Sequence, residues 1–239
     1  QKEDEYREGM ESKRIWYEQQ QTRDAGERYE AAAIGALVAG GVLAAAGTAV
    51  GLKQLDYDHI ARAGLLAAAF FVASLIHVPI GPSSIHLILN GIVGLILGWG
   101  AFPAIVVALL LQGVLFQYGG LTTLGVNTLI MALPAVICYY LCGPLVGRRR
   151  GLALTAAFAC GFGSILLGAV VAGAALMFTE ENFLEVTVLI VSAHIPVMVI
   201  EGVITSFCVA FLLKVQPELL PGYARRPDAA PVERSRDEV

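Results

Sequence analysis

The sequence predicts an all-α polytopic membrane protein, with about seven transmembrane helices in one bundle and a Gly/Pro-broken turn lining an outward-facing pocket. Three observations predict it. Of 239 residues, 56% are hydrophobic and only 15% charged, where a soluble domain carries about 25% charged residues. No Lys, Arg, Asp or Glu occurs between Ala63 and Val146, a length that no water-soluble fold leaves uncharged. The chain from Ala31 onward then divides into apolar runs separated by Gly/Pro punctuation such as Gly81–Pro82, Gly100–Pro103 and Gly119–Gly120.

Residues 1–30 form a polar, charged N-terminal segment whose helix-forming composition suggests a solvated or surface helix, with Trp16 and Tyr17 as its apolar anchors. No signal peptide is visible, because the first apolar run begins only near Ala31 and further runs follow it. A seven-span transmembrane domain is expected over 31–216, with segments near 31–51, 61–78, 84–99, 101–117, 121–146, 151–178 and 184–214. A helix needs about 20 residues to cross the hydrocarbon. The third and fourth segments are shorter and Gly/Pro-bounded, the pattern of tilted, broken or re-entrant helices beside a binding site. Gly94 with Gly98, and Gly168 with Ala172, read as close-packing pairs between helices.

Arg148, Arg149 and Arg150 form the dense basic cluster between spans, which makes that loop cytoplasmic. Crossing the next span puts Glu180, Glu181 and Glu185 outside, and one more span returns the chain to the cytoplasm near Lys214, Arg225 and Arg226. Counting backwards, the Lys53–Arg62 loop is cytoplasmic, while the Pro79–Pro82 turn and the N-terminus are outside. The charged, proline-rich stretch 217–239 reads as a disordered cytoplasmic tail. The expected location is the cell (inner) membrane.

Several function classes find no support. There is no basic stripe with interleaved aromatics for nucleic acid. No H-E-x-x-H, G-x-S-x-G or G-x-x-x-x-G-K-[ST] occurs, so ATP hydrolysis is not expected of this chain and an active transporter would draw energy from a partner or an ion gradient. No organic cofactor is implied. Cys138, Cys142, Cys160 and Cys208 fall within apolar runs. Cys138 and Cys142 share a helix face, but buried thiols of this kind usually act as small hydrophobes rather than ligands.

Polar side chains inside a membrane cost about 2.5–3.5 kcal/mol for a charge at a helix centre, so the few present need a reason. His77 and His86 flank the broken turn and could reach one cavity. Neutral imidazole is a common transition-metal ligand, and an interfacial histidine bonded to a carbonyl is the plainer alternative. Ser83, Ser84, Asn90, Gln112 and Asn127 are pocket or supporting candidates that could fix the turn by hydrogen bonds. His194 and Glu201, two helical turns apart on one face, read as coupling or structural residues, with a proton or metal path as the alternative. Pro196 interrupts the ladder between them.

Four stretches together resemble the CbiM/NikM family, the membrane subunit of energy-coupling-factor-type cobalt/nickel importers. They are PIGPSSIHLILNG (79–91), LLLQGVLFQYGGLTTLGVNTLIMALP (109–134), the RRR loop (148–150) and AHIPVMVIEGVITSFCVAFLLKVQPELL (193–220). The resemblance implies a subunit that captures Co²⁺ or Ni²⁺ outside as its transported substrate. It also implies a transmembrane coupling subunit, cytoplasmic ATPase subunits and a small accessory membrane subunit as partners within the lipid bilayer. His86, after Gly81-Pro82-Ser83-Ser84, matches the family's metal-ligating histidine, and Asn127 matches the asparagine of its G-x-N motif. The family's Met-His-Ile segment, whose terminal amine and histidine complete a square-planar-like site, has no match in residues 1–30, which hold no histidine. Three alternatives stay open: that segment lies upstream of residue 1, or the protein binds metal differently, with His77 as a candidate substitute ligand, or the function has been lost. Two competing readings stand beside this one. An intramembrane enzyme would use His86, His194 and Glu201 as acid–base or metal groups in one cavity, although the topology sets His86 near the outer face and Glu201 several turns into the last span. A membrane scaffold without transport would have lost the N-terminal ligands.

Overall fold

A computed structural model describes the backbone of residues 2–80, 83–117, 119–176 and 183–221. The Gly81–Pro82 step, Glu180, Glu181 and tail residues 222–239 lie outside the described residues.

Helix α1, Lys2–Gln54, runs unbroken for 53 residues, about 80 Å at 1.5 Å per residue. The polar segment and the first apolar segment are therefore one helix, of which Gly26–Gln54 is apolar enough to cross a membrane. Helix α2, Tyr57–Ala73, starts at Asp56, whose side chain accepts the His59 backbone N–H at 2.9 Å. This satisfies one of the donors that a helix start leaves open. Hydrogen bonds from the His59 backbone and then its ring hold the Asp56 carboxyl below the usual carboxylate range. The cap thus contributes above the ordinary carboxyl pKa and fades as pH falls through the lowered one.

Strands β1, His77–Ile80, and β2, Ser83–His86, form an antiparallel hairpin that the sequence did not announce. Helices α3 (Asn90–Leu97), α4 (Ala101–Phe116), α5 (Leu124–Val146), α6 (Arg150–Leu176) and α7 (Phe183–Val215) complete the bundle. Single 3₁₀ turns occupy Gly98–Gly100 and Pro217–Leu219. Packed chain continues past residue 216, because Leu220 is fully buried against the α5–α6 end of the core.

By length and composition, five segments among the described residues can cross a membrane, with 90–116 as one of them and α2 a shorter sixth apolar helix. The backbone divides 90–116 in two. Gly98 takes φ 54 and ψ −121, a conformation that glycine supplies without steric cost. Gly94 meets Ala135 and Gly98 meets Tyr139, so α3 runs with α5. Gly40 meets Val126, while Gly51 meets Trp99, whose indole N–H donates to the Tyr140 hydroxyl at 3.0 Å; α1 therefore also runs with α5. Trp99, just before α4, thus lies level with the end of α5. Gly119, just after α4, is bonded to Asn127 at the start of α5, so α4 runs against α5 and the chain turns back at Gly98. The eight residues of α3 reach only about 12 Å, so the third expected span is a buried half-helix rather than a crossing. The count of seven full spans is corrected accordingly.

The surface is apolar: Leu65, Phe207 and Leu189 are 73%, 72% and 68% exposed. Polar side chains sit inside, with Asn90, Gln112, Ser164, Glu201 and Thr205 buried. That inversion suits a bundle solvated by lipid. Small residues make the interior close enough for α3 to fit. A Cβ on Gly91 would stand 2.5 Å from the Gly161 Cα, and one on Gly94 would press into the Ala135 carbonyl. Both obstacles are backbone and cannot swing aside. Gly168 likewise packs on Ile130 of α5, so Gly94 and Gly168 both serve close packing. Substituting Gly94→Ala should cost about 1–3 kcal/mol, as overpacking does. Thermal unfolding in nanodiscs would check this, and an unchanged midpoint would mean that α3 is not held as described.

Candidate metal centre

The site is built around the return of the chain from the hairpin into the bundle. Ser74, the C-cap of α2, donates its hydroxyl to the Phe71 carbonyl at 2.6 Å and accepts the Gln112 amide at 2.7 Å. Gln112 thus ties α4 to the chain just before the hairpin. The ladder pairs His77 with His86, Val78 with Ile85, Pro79 with Ser84 and Ile80 with Ser83. Leu87 N–H then donates to the Ile76 carbonyl at 3.2 Å and closes the base of the hairpin. The two candidate histidines are therefore backbone partners across the ribbon. The side chains of 77–86, among them His77, Ser83, Ser84 and His86, lie outside the described residues.

Beyond Leu87 the strand pairing has ended and the helix has not begun, so backbone donors need other partners. Glu201 provides them. Its Oε1 accepts the N–H of Ile88 at 2.5 Å and of Leu89 at 2.8 Å. Leu89 sits in the left-handed region with φ 59, a costly conformation for a leucine. It turns the chain so that Asn90 opens α3 and Val93 N–H can reach the Leu89 carbonyl at 3.1 Å. A carboxyl at the start of a half-helix also meets the favourable end of its dipole. Glu201 is fully buried, and its Oε2 has no hydrogen-bond partner among the described residues.

Glu201 lies several turns into the last span, as expected, yet that depth does not separate it from the chain leaving the hairpin. It grips the backbone two and three residues after His86, because α3 starts deep in the bundle, with Gly91 against Gly161 and Thr205. The structural contact that Glu201 makes is within one chain rather than toward another subunit. Asn127 does something different. Its amide donates to the Gly119 carbonyl at 3.0 Å and to the Thr123 hydroxyl at 3.2 Å, pinning the α4–α5 turn where Gln117, Gly119 and Gly120 all have positive φ. No contact ties it to the hairpin among the described residues.

His194 is half-buried within α7, and its Nδ1–H donates to the Ile190 carbonyl one turn earlier at 2.7 Å. It lines a cavity of about 150 Å³ together with Ile88, Asn90, Ser164 and Gly168. His194 and Glu201 thus serve one region: Glu201 holds the backbone at 88–89, and His194 faces the space beside it. Asn90 is buried, and its Oδ1 has no hydrogen-bond partner among the described residues.

Cys138, Cys142 and Cys160 pack in the core cluster beneath α3, and the Cys160 thiol donates to the Gly91 carbonyl at 3.4 Å. No group of three His, Cys, Asp or Glu among the described residues could hold a metal ion. Sequence reasoning passes over Ser164 and Thr205, single hydroxyls in apolar helices. It also passes over the Ile88 and Leu89 N–H groups, which no side-chain pattern can reveal.

Fold and site define a helical, multi-spanning membrane protein with a β-hairpin hooked into its bundle. The family model described as "CbiM: Cobalt uptake substrate-specific transmembrane region" matches residues 33–219. The chain belongs to the CbiM family. A Haemophilus influenzae protein provisionally named for metal transport is 43% identical over 189 residues, covering 77% of this chain and 91% of its own. The fused nickel transport protein NikMN of Rhodobacter capsulatus is 32% identical over 207 residues, which cover 76% of this chain and 59% of that longer protein. A crystal structure of a truncated transition metal transporter superposes with a TM-score of 0.61 at 21% identity, covering 79% of this chain and 97% of that one. The last likeness is one of fold.

The clasp has a direct test. Glu201→Ala leaves the buried Ile88 N–H and the part-buried Leu89 N–H open, at a cost on the order of 1–3 kcal/mol for the buried one, whereas Glu201→Gln keeps an acceptor oxygen in place. Hydrogen exchange at Ile88 and Leu89 should accelerate in the alanine variant and stay close to wild type in the glutamine variant. Equal protection in all three proteins would remove Glu201 from this role.

Proposed function

We propose that this chain is the metal-capturing membrane subunit of an ATP-driven importer, taking Co²⁺ or Ni²⁺ from outside the cell as its substrate. One observation carries the reading: the hairpin register that makes His77 and His86 backbone partners, in a family whose model is described as cobalt uptake. Relatives named for nickel and for cobalt transport accord with either ion. His86 and His77 are the proposed ligands, with Ser83 and Ser84 beside them in β2. Imidazole nitrogens suit these ions; tetragonal nitrogen ligation favours Ni²⁺ or Cu²⁺, and metal availability and cavity shape decide among the ions. Neutral imidazole is the ligating form, so capture weakens as the histidines protonate.

The orientation follows from the basic loop. With Arg148–Arg150 cytoplasmic, α6 runs outward and α7 inward, leaving the C-terminus inside. Because α3 and α4 together leave and return to the outer half, α1 begins outside and the hairpin faces outward. The cell membrane is the proposed location. A transmembrane coupling subunit and cytoplasmic ATPase subunits, with a small accessory membrane subunit, would supply the energy. Rocking of this chain against the coupling subunit would then open the site inward.

Co²⁺ or Ni²⁺ titration of the purified chain in nanodiscs tests the capture step by calorimetry. His86→Ala should abolish high-affinity binding and His77→Ala should weaken it. Near-wild-type metal uptake by cells carrying His86→Ala would refute the ligand assignment.

A further inference from the structure

The hairpin that bears the two proposed ligands hangs from the bundle by its base. Strands β1 and β2 pair with each other, and neither makes extensive contact with a helix among the described residues. An isolated two-stranded hairpin is at best marginally stable in water, so the position of this one is set where its ends enter the helices. The β1 end leaves α2 directly. The N–H groups of Ser74, Leu75 and Ile76 still bond back to the carbonyls of Phe70, Val72 and Ala73 at 3.0, 3.1 and 3.0 Å, and His77 follows at once. The β2 end runs from His86 through Leu87, whose N–H closes on the Ile76 carbonyl, to Ile88 and Leu89.

Two buried side chains hold these ends, one for each strand. On the β1 side the Gln112 amide of α4 donates to the Ser74 hydroxyl at 2.7 Å. On the β2 side Glu201 of α7 accepts the N–H groups of Ile88 and Leu89. The Ser74 proton already has the Phe71 carbonyl at 2.6 Å, so Gln112 does not rescue a stranded hydroxyl. Its bond adds a link between α4 and the chain entering β1. A polar side chain buried in a lipid-solvated bundle needs such a reason. Metal ligands need it too, because a site works when they are held within about 0.5 Å of the productive geometry. Helices α4 and α7 do not pack extensively on each other among the described residues, so the two tethers are separate.

We propose that Gln112 and Glu201 are positioning residues for metal capture, each serving one strand: Gln112 sets His77 through Ser74, and Glu201 sets His86 through Ile88 and Leu89. The inference rests on the importer reading, with the ligands on the two strands. Loss of one tether loosens one ligand and leaves the other in place.

The test is a double-mutant cycle on the full chain in nanodiscs, with Co²⁺ and Ni²⁺ binding followed by calorimetry. Gln112→Leu removes the amide and leaves the Ser74 proton on the Phe71 carbonyl. It should weaken binding about 10–100-fold, the usual effect of disturbing an outer-shell partner. Ser74→Ala should do the same from the other end of the bond. In the His77→Ala background Gln112→Leu should have no further effect, whereas Glu201→Ala should weaken what remains. Glu201→Gln should recover binding relative to Glu201→Ala, since it keeps an acceptor oxygen. A bond that only supports the fold would give the same loss with and without His77, and that result would overturn the assignment. Wild-type affinity in both Gln112→Leu and Ser74→Ala would overturn it as well. In either case metal binding by the wild type, and its loss in His86→Ala, leave the importer reading standing. A wild-type chain that binds neither ion removes that reading and the positioning roles together.

Discussion

The structure depends on one buried contact, the Glu201 carboxyl against the N–H groups of Ile88 and Leu89. A chain that leaves a hairpin and starts a helix inside a membrane has several backbone groups with no partner in either element. Water cannot solve this in a lipid-solvated bundle. A side chain must, and a carboxyl oxygen that accepts two N–H bonds at 2.5 and 2.8 Å does so. The cost of burying Glu201 is thereby set against two donors that would otherwise remain open. It also lets Leu89 keep its left-handed backbone, and that turn aims Asn90 and α3 into the core.

The small residues follow from the same constraint. Once α3 starts deep, it must fit between α5, α6 and α7, and only glycine at 91 and 94 permits the approach to Gly161 and Ala135. The reversal at Gly98 then returns the chain along α4, where Gln112 reaches Ser74 before the hairpin. Glu201 of α7 thus holds the join between hairpin and half-helix, and Gln112 ties the return helix to the end of α2. Outside this inserted unit, the helices need only an apolar surface, which Leu65, Leu189 and Phe207 supply.

Much of this was legible in composition and punctuation. The membrane setting followed from the absence of charge across Ala63–Val146, and the shortness of the third and fourth segments marked them as broken. Gln112 and Glu201 stood out because polar groups in apolar helices are costly. What was not legible is pairing. The hairpin joins two proline- and serine-bearing stretches without the alternation that usually announces strands. The partners of Glu201 are backbone groups, which every residue carries and no residue type reveals. The reversal at Gly98 depends on its φ and ψ, and a glycine within G-x-x-x-G reads equally well as a packing site. The side chain of Asn127 was conspicuous in the sequence, while the bonds it makes among the described residues serve the α4–α5 turn.

Glu201 is satisfied on one side only. Its Oε1 accepts two backbone N–H groups, while its Oε2, like Asn90 Oδ1 and Thr205 Oγ1, is buried without a hydrogen-bond partner among the described residues. Matched and unmatched polar groups therefore meet at the same turn rather than in separate regions of the bundle. The matched oxygen offsets the open donors of Ile88 and Leu89, and the unmatched one is what remains of the cost of burying a carboxyl among apolar helices. The start of α3 is thus held by one oxygen of Glu201 rather than by the whole group.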